Sequence, residues 1–370
     1  MIGGNDKISN SQIVFILITT IVGVGILSLP SALVERVGSD GWISIIIGSI
    51  LVSILVAIAT ILTSYYPGKT VIEFGREIVS TPVSDIISFL FIVYFVVISA
   101  FTVRIFAEVV KMFLLDKTPT EVIIMTMLFT VAYIVRGGIE GIGRMAEIIL
   151  PVVILPLLLL FIAIIPDLDF TNLLPVFRTS FTDIVKTIPL TFFSFMGYEL
   201  ILFFMAYVDK PKNSTAKNIA AIVIVTLIYL IFFTVTLARF GQNEVRDLLW
   251  PSLSLVRSVD LPGFFIENVE AVVMGLWVLN VFASLSPVYY GAVLTLTKLL
   301  RANEHKYFVL PLLPFIYILS LVPDNLASVY TMMDMFIYYY TTIILIGVPI
   351  LYFIISLFKK ANKKGVGSNG

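Results

Sequence analysis

The 370-residue chain is 59% hydrophobic and 13% charged, and its mean hydropathy is +1.05. Soluble domains carry about twice that share of charged residues, so the composition excludes a soluble protein and indicates one that is dissolved in lipid. Twenty-four basic residues balance twenty-four acidic ones, which gives no reason to expect a nucleic-acid partner. With no cysteine and one histidine, disulfides, thiolate nucleophiles and most transition-metal sites are excluded, and we expect no metal and no cofactor.

Charge-poor stretches of about 17 or more residues, the length that a spanning helix needs, recur along the chain. Two are weaker than the rest, because 122–135 is short and 187–208 is interrupted by Glu199. The first stretch is too long for the apolar core of a signal peptide, and we expect it to be retained. We predict a single membrane domain, 1–370, with ten transmembrane helices. The eight clear stretches are 8–34, 41–68, 86–103, 148–166, 218–238, 271–297, 307–323 and 335–358.

The distribution of Lys and Arg favours one orientation of the ten helices. If the N-terminus is cytoplasmic, fifteen basic residues lie on the cytoplasmic side and eight on the other. The positive-inside rule therefore predicts that both termini are cytoplasmic. The lysine-rich segment 359–370 is predicted to be a solvated cytoplasmic tail.

Two helices contain glycines near their midpoints. Gly23 and Gly25 lie about ten residues into helix 1, and Gly197 followed by Glu199 lies about ten residues into helix 6. Each glycine weakens a helix by about 1 kcal/mol, and a glutamate at this depth needs a partner or water. These features predict that helices 1 and 6 are discontinuous.

The matching positions of the two breaks predict an all-α polytopic membrane protein built as a five-plus-five inverted repeat. The first repeat would comprise 13–165 and the second 187–358. For the individual residues, a structural role is also open. Small residues at helix crossings are common in membranes, which would account for Gly23 and Gly25. Glu199 could form a purely structural hydrogen bond, or pair with Arg104.

Several sequence motifs together resemble one family, the endospore germination permeases, which are the B subunits of nutrient germinant receptors. The segment TIVGVGILSLP at 20–30 and Asp-Gly-Trp at 40–42 are similar to the opening of that family. Gly-Tyr-Glu at 197–199 is similar to its broken sixth helix. The segments 250–257 and 261–265 resemble its long loop before helix 8. The resemblance extends over nearly the whole chain.

This resemblance implies the amino acid-polyamine-organocation superfamily, whose fold is five plus five inverted helices and whose members mostly move amino acids. It implies a permease-like subunit of a spore germinant receptor, in the inner membrane of the spore. The expected ligand is a small nutrient, an amino acid, and the expected partners are a multi-domain A subunit and a lipoprotein C subunit.

The broken helices indicate where a ligand would bind. Amides freed in helix 1 would suit a carboxylate, and Glu199 would face a ligand ammonium or carry a proton. On helix 8, three residues at i, i+4 and i+8 would form a wall with two hydroxyls, although ordinary helix packing explains them equally well. The predicted ligand-binding residues are Gly23, Gly25, Phe195, Gly197, Tyr198, Glu199, Phe282, Ser286 and Tyr290.

Other function classes find little support in the sequence. The chain lacks a His-Glu-x-x-His motif, a paired-aspartate site and a phosphate-binding glycine loop, so we do not expect an enzyme. Two hypotheses remain: a receptor subunit that binds without transport, and an active amino-acid or proton-coupled transporter. Ser284 and Ser286 are separated by one residue and point differently, which argues against a sodium site. Arg104 precedes Glu108 by four residues, the spacing of a helical ion pair.

Overall fold

The computed structural model describes residues 7–23, 25–209, 211, 214–258 and 269–366. The described part is helical, with one isolated parallel bridge between Ile8 and Val208. Val24, the predicted motif 261–265, two of the lysines in the orientation count and the last four residues of the tail lie outside it.

The first half of the chain forms helix 1 in two pieces and then four further spans. A short helix, α4, lies between the second and third spans. The bounds are α1 (Asn10–Ile21), α2 (Leu29–Val37), α3 (Gly41–Ser64), α4 (Val71–Ile78), α5 (Thr81–Phe113), α6 (Thr120–Arg136) and α7 (Gly138–Ile164).

The second half repeats this order, with a broken span first. Single 3₁₀ turns precede and follow α10, and two π-helical segments, Ile337–Thr341 and Ile343–Gly347, connect α15 to α16. The bounds are α8 (Phe181–Lys186), α9 (Ile188–Ser194), α10 (Ile201–Phe204), α11 (Ser214–Asp247), α12 (Pro251–Arg257), α13 (Val269–Leu299), α14 (Lys306–Leu321), α15 (Leu326–Phe336) and α16 (Val348–Val366).

Six helical stretches of the described part, among them α2 joined to α3, are long and apolar enough to cross a membrane, and α9 with α10 forms another that is bent by 58°. The shorter helices α1 and α14 are also apolar. The predicted all-α polytopic fold with discontinuous helices 1 and 6 is therefore confirmed.

Local sequence explains where the half-helices begin. Ser9 caps α1 by accepting from the Gln12 amide (3.1 Å), while the Gln12 side chain accepts from the Ser9 amide (2.9 Å). The second half of helix 1 and the first half of helix 6 each have a proline in the first turn, Pro30 and Pro189, where its missing N–H is not needed.

Helix α1 lies at the centre of the bundle. It packs against α7, α11 and α13, and Ile13, Ile16 and Leu17 are fully buried. The outer surface is apolar instead, and Ile148 and Leu159 on α7 are each about two-thirds exposed. Such side chains are stable at the surface only against hydrocarbon, so the bundle is a multi-pass membrane protein.

The predicted tail begins within a continuing helix. Helix α16 extends to Val366, and Lys359 donates a hydrogen bond to the carbonyl of Glu77 (2.7 Å). The ammonium of Lys360 lies 4.0 Å from the ring of Tyr65. The start of this segment is thus held against the α3–α4 connection.

Candidate functional site

The break in helix 1 separates the end of α1 from the start of α2, and it leaves backbone carbonyls without helical partners. Neutral side chains from the second half of the chain donate to these carbonyls. The pairs are Ser284 Oγ to Thr20 (3.1 Å), Tyr229 OH to Ile21 (2.8 Å), Asn280 Nδ2 to Val22 (3.2 Å) and Ser252 Oγ to Ile26 (2.8 Å). Four of the carbonyls at the break thus have partners within the described part of the protein.

The two glycines of helix 1 have different surroundings. A Cβ added to Gly23 would lie 2.2 Å from Ser284 Oγ, so glycine is needed there for the close approach of α13. A Cβ added to Gly25 would lie 3.3 Å from both the Cα and the carbonyl oxygen of Ser194, at the end of α9. Close packing thus accounts for Gly23, whereas Gly25 faces the break in helix 6.

The break in helix 6 lies between Ser194 and Tyr198. Gly197 has a φ of +117°, in the region that favours glycine, and a Cβ there would lie 2.8 Å from Thr20 Cγ2. The hydroxyl of Tyr229 lies 2.8 Å from the Ile21 carbonyl at the end of α1 and 2.6 Å from the Ser194 carbonyl, and its one proton is shared between these two acceptors. One side chain therefore joins the ends of both broken helices.

Glu199 is the acidic residue of this region and is 1% exposed. The hydroxyl of Tyr94 on α5 donates to its Oε1 (2.7 Å), and the Gly197 amide donates to its Oε2 (2.8 Å). Two carboxylate oxygens have about four acceptor positions, so the group can accept further hydrogen bonds. Arg104 instead pairs with Glu108 (2.8 Å), as its spacing predicts.

A small cavity of about 70 Å³ lies between the two breaks. Its polar atoms come from the broken helices and from α5 and α13, and its other walls are apolar. A larger cavity exists at the lipid-facing side, but it lies outside the breaks. The small cavity is lined by Thr20, Ile21, Gly25, Tyr94, Ile98, Phe101, Thr102, Ile105, Phe193, Ser194, Met196, Gly197, Glu199, Ser284, Val288 and Met333.

Three of the predicted site residues, Gly25, Gly197 and Glu199, line this cavity. Two others in helix 6 lie behind it. Phe195 packs edge-on against the Tyr229 ring (5.2 Å between centroids), and the Tyr198 hydroxyl donates to the Leu345 carbonyl (2.8 Å). Gly23 lies against Ser284.

The predicted face of helix 8 does not line the cavity. Ser286 Oγ donates to the Phe282 carbonyl of its own helix (2.7 Å), and the Tyr290 ring packs against Phe204. The lining face of α13 is formed instead by Ser284 and Val288. The face that lines this cavity therefore differs from the predicted one, because several faces of α13 combine apolar and hydroxyl residues at helical spacing.

The two serines considered for a sodium site also diverge. Ser284 donates to Thr20 on α1, whereas Ser286 donates along its own helix. Among the described residues there is no group of three His, Cys, Asp or Glu side chains that could hold a metal ion.

Three polar residues that the sequence patterns did not single out hydrogen-bond to the broken helices, namely Tyr94, Tyr229 and Asn280. Ser284, which was considered only for a sodium site, does so as well. Each is a hydroxyl or amide side chain within an otherwise apolar span. That isolation is the signal that could have identified them.

Comparison with known proteins connects this geometry to a family. The family model described as spore germination protein matches residues 7–329. Spore germination protein YndE of Bacillus subtilis (strain 168) is 31% identical, over 98% of this chain and all of that protein. Spore germination protein A2 of the same organism is 28% identical, over 97% of this chain and 98% of its own length.

A solved structure shares the fold. The crystal structure of MhsT in complex with L-phenylalanine superposes with a TM-score of 0.69 and 15% sequence identity, covering 94% of this chain and 88% of that one. A likeness at this identity shows that the two chains share a helical fold. By the family match and its relatives, the chain belongs to the spore germination protein family, as a permease-like membrane member.

Proposed function

We propose that this protein binds a small amino acid between its two broken helices and acts as the permease-like subunit of a spore germinant receptor. The observation that carries the proposal is a buried carboxylate, Glu199, at the wall of an enclosed cavity between two helix breaks. A charged group at this depth is costly and needs a specific partner.

The two ends of an amino acid would find complementary groups in this cavity. Its ammonium would approach the unused acceptor positions of Glu199. Its carboxylate would approach the main chain of the helix 1 break at Gly25, which lines the cavity. Gly25 leaves the room for that approach, since a larger side chain there would enter the cavity.

The size of the cavity favours a short side chain. Its volume is about 70 Å³. A single water needs roughly 10–15 Å³ measured in the same way, so the cavity has room for roughly five to seven nonhydrogen atoms. Glycine, alanine and serine match that size, and the apolar walls at Ile98 and Val288 suit a methyl group. The phenylalanine named with MhsT would require a larger cavity.

The family membership supports the wider role. In this proposal the protein assembles with an A subunit and a C subunit in the spore inner membrane, with both termini cytoplasmic, and ligand binding leads to a germination signal. The relatives named A2 and B2 support a role within a multi-part germination system.

A second candidate is an active amino-acid or proton-coupled transporter. The observation that favours it is the shared fold with MhsT, together with the broken helices 1 and 6 around a central cavity in this chain. Glu199 would then carry a proton or hold the substrate amine during transport.

One experiment tests both candidates. The purified protein is titrated with a panel from glycine to phenylalanine, and uptake of any binder into proteoliposomes is measured beside empty liposomes. We expect glycine, alanine or serine to bind, phenylalanine not to bind, and uptake to equal the empty control. Absence of binding across the panel contradicts the proposed ligand class, and accumulation above the control favours the transporter.

A further inference from the structure

The lipid-facing side of the bundle contains a deep apolar groove of about 680 Å³ between α3, α9 and the π-helical part of the last span. On α3 it is lined by Leu51, Ile54, Leu55 and Ile58, which occupy i, i+3, i+4 and i+7 of one helix face. Ile54 is 52% exposed, so the groove opens sideways toward the hydrocarbon.

A polar pocket of about 250 Å³ lies at the end of the bundle where α2 ends and α3 begins. Three arginines line it: Arg36 from the last turn of α2, Arg178 from the loop before α8, and Arg246 from the last turn of α11. None of the three forms a direct salt bridge in the described ranges, and Arg36 interacts electrostatically with Asp334, which lines the groove. Glu35 and Asp40 also line the pocket.

Hydrogen bonds hold the wall of this pocket in place. Both oxygens of Asp40 are used by main-chain amides, those of Phe177 (2.5 Å), Arg178 (2.9 Å) and Thr179 (2.8 Å). The Thr179 hydroxyl also donates to the Val37 carbonyl (3.0 Å). The backbone of Arg178 is thus fixed beside α2, and the Asp40 charge is already satisfied.

Arg36 lines both the groove and the pocket. The two cavities are therefore adjacent at this residue. The groove has mainly apolar walls, and the pocket is lined by arginines. We propose that a membrane phospholipid binds here, with its phosphodiester on Arg36, Arg178 and Arg246 and an acyl chain in the groove. Guanidinium groups bind phosphate oxygens in pairs, and basic pockets between membrane helices bind lipid head groups.

The adjoining pocket favours a lipid over the helix of another protein, because an apolar helix in the groove would leave the three arginines without anionic partners. A flexible acyl chain can fill such a groove along its length. Glu35 lines the pocket and Asp334 lines the groove, and their carboxylates would repel a phosphate. The phosphate is therefore expected to bind at the arginines.

The proposal can be tested by lipid retention in detergent. The wild-type protein is loaded with dioleoyl phosphatidylglycerol, washed, and analysed by native mass spectrometry and thermal unfolding. The variants are the double substitution Arg36→Gln with Arg246→Gln, and Ile54→Trp, which places an indole in the groove. Arg136→Gln, an exposed arginine at the end of α6, is the matched control. Two further compounds test the parts of the lipid separately. Dioleoylglycerol has the acyl chains without the phosphate, and glycerophosphoglycerol has the phosphate head group without the acyl chains.

We expect the wild type and the Arg136 variant to retain the phospholipid, and the other two variants to retain about tenfold less, the equivalent of one charge-assisted contact. Phosphatidylglycerol should raise the unfolding temperature, and dioleoylglycerol or glycerophosphoglycerol should not. Equal retention by all four proteins would overturn the proposal. Equal stabilisation by glycerophosphoglycerol would identify a site for free anions instead, and equal stabilisation by dioleoylglycerol would show that the phosphate is not recognised.

Discussion

The breaks in helices 1 and 6 both interrupt helical hydrogen bonding, but the polar groups at the two breaks are of different kinds. The first break exposes carbonyls, and neutral side chains of α11, α12 and α13 donate to them, among them Ser284 to Thr20. The second break contains a carboxylate, Glu199, whose oxygens accept from Tyr94 and from the Gly197 amide. The donors for each break come from the opposite half of the chain, apart from the local amide and the shared Tyr229.

This difference indicates a structural role for the first break and a ligand-binding role for the second. Neutral donors satisfy the carbonyls at the first break without any ion, so that break can be stable when the site is empty. The second break holds an acidic group with acceptor positions left over. We therefore expect substitutions at the two breaks to affect different properties, stability at the first and recognition of an amine at the second.

The largest expected effect is at Gly25, where the first break faces the second. Gly25→Leu places a side chain in the cavity, and should weaken amino-acid binding by about 100-fold or more, because an overpacked site costs about 1–3 kcal/mol and the ligand also loses space. Equilibrium titration of the purified variant measures this.

Gly275→Leu is the control for that substitution, since a Cβ at this exposed glycine of α13 has no neighbour within 4 Å. It should bind as wild type does. If the Gly25 variant elutes as a folded protein and binds normally, the ligand does not occupy the space between the breaks.

Glu199→Gln should weaken an amine-bearing ligand by roughly 5- to 150-fold, or about 1–3 kcal/mol, because a charge-assisted hydrogen bond becomes a neutral one. The amide keeps the size of the side chain, so the unfolding temperature should change little. Titration beside thermal unfolding checks both expectations, with Glu121→Gln, at the exposed start of α6, as control. A collapse in stability with unchanged affinity would make Glu199 part of the scaffold.

Ser284→Ala should affect stability more than ligand affinity. It removes the donor to the Thr20 carbonyl and should lower the free energy of unfolding by about 1 kcal/mol. Ser286→Ala is the matched control, because that hydroxyl bonds only to its own helix and the same loss is not expected. If both variants unfold alike, Ser284 does not stabilise the first break.

The smallest expected effect is that of sodium. Because neutral donors already occupy the carbonyls of the first break, replacing sodium by potassium at constant ionic strength should change the dissociation constant by less than about twofold. A tenfold dependence on sodium would contradict this interpretation of the first break and restore a sodium-coupled transporter.

The sequence was sufficient to predict the membrane fold and the positions of both breaks, because glycines lie near the midpoints of two apolar stretches and a glutamate follows Gly197. It underestimated the length of the third span, which was predicted as 86–103 and extends over Thr81–Phe113. The prediction stopped at Arg104, but that guanidinium pairs with Glu108 and donates to the Ser320 carbonyl (3.0 Å), so the helix continues through both charges.

The candidate site could be predicted only in part. Glu199 and Gly25 were identified from local sequence. Partners such as Tyr94, which is 105 residues from Glu199, are set by the packing of distant helices. The rotation of α13 about its axis could also not be predicted from the sequence, because a helix buried on most sides has no polar face to show its orientation. Ser286 was therefore predicted to line the site, whereas Ser284 lines the cavity in the structure.

The central claim, that Glu199 recognises the amine of a small amino acid, is tested most directly by comparing alanine with propionate, which lacks the amine. Dissociation constants for both are measured on the wild type and on Glu199→Gln. We predict that the wild type prefers alanine by about tenfold or more, and that the substitution removes most of this preference while propionate binding changes little. An undiminished preference for alanine in the variant would contradict the claim.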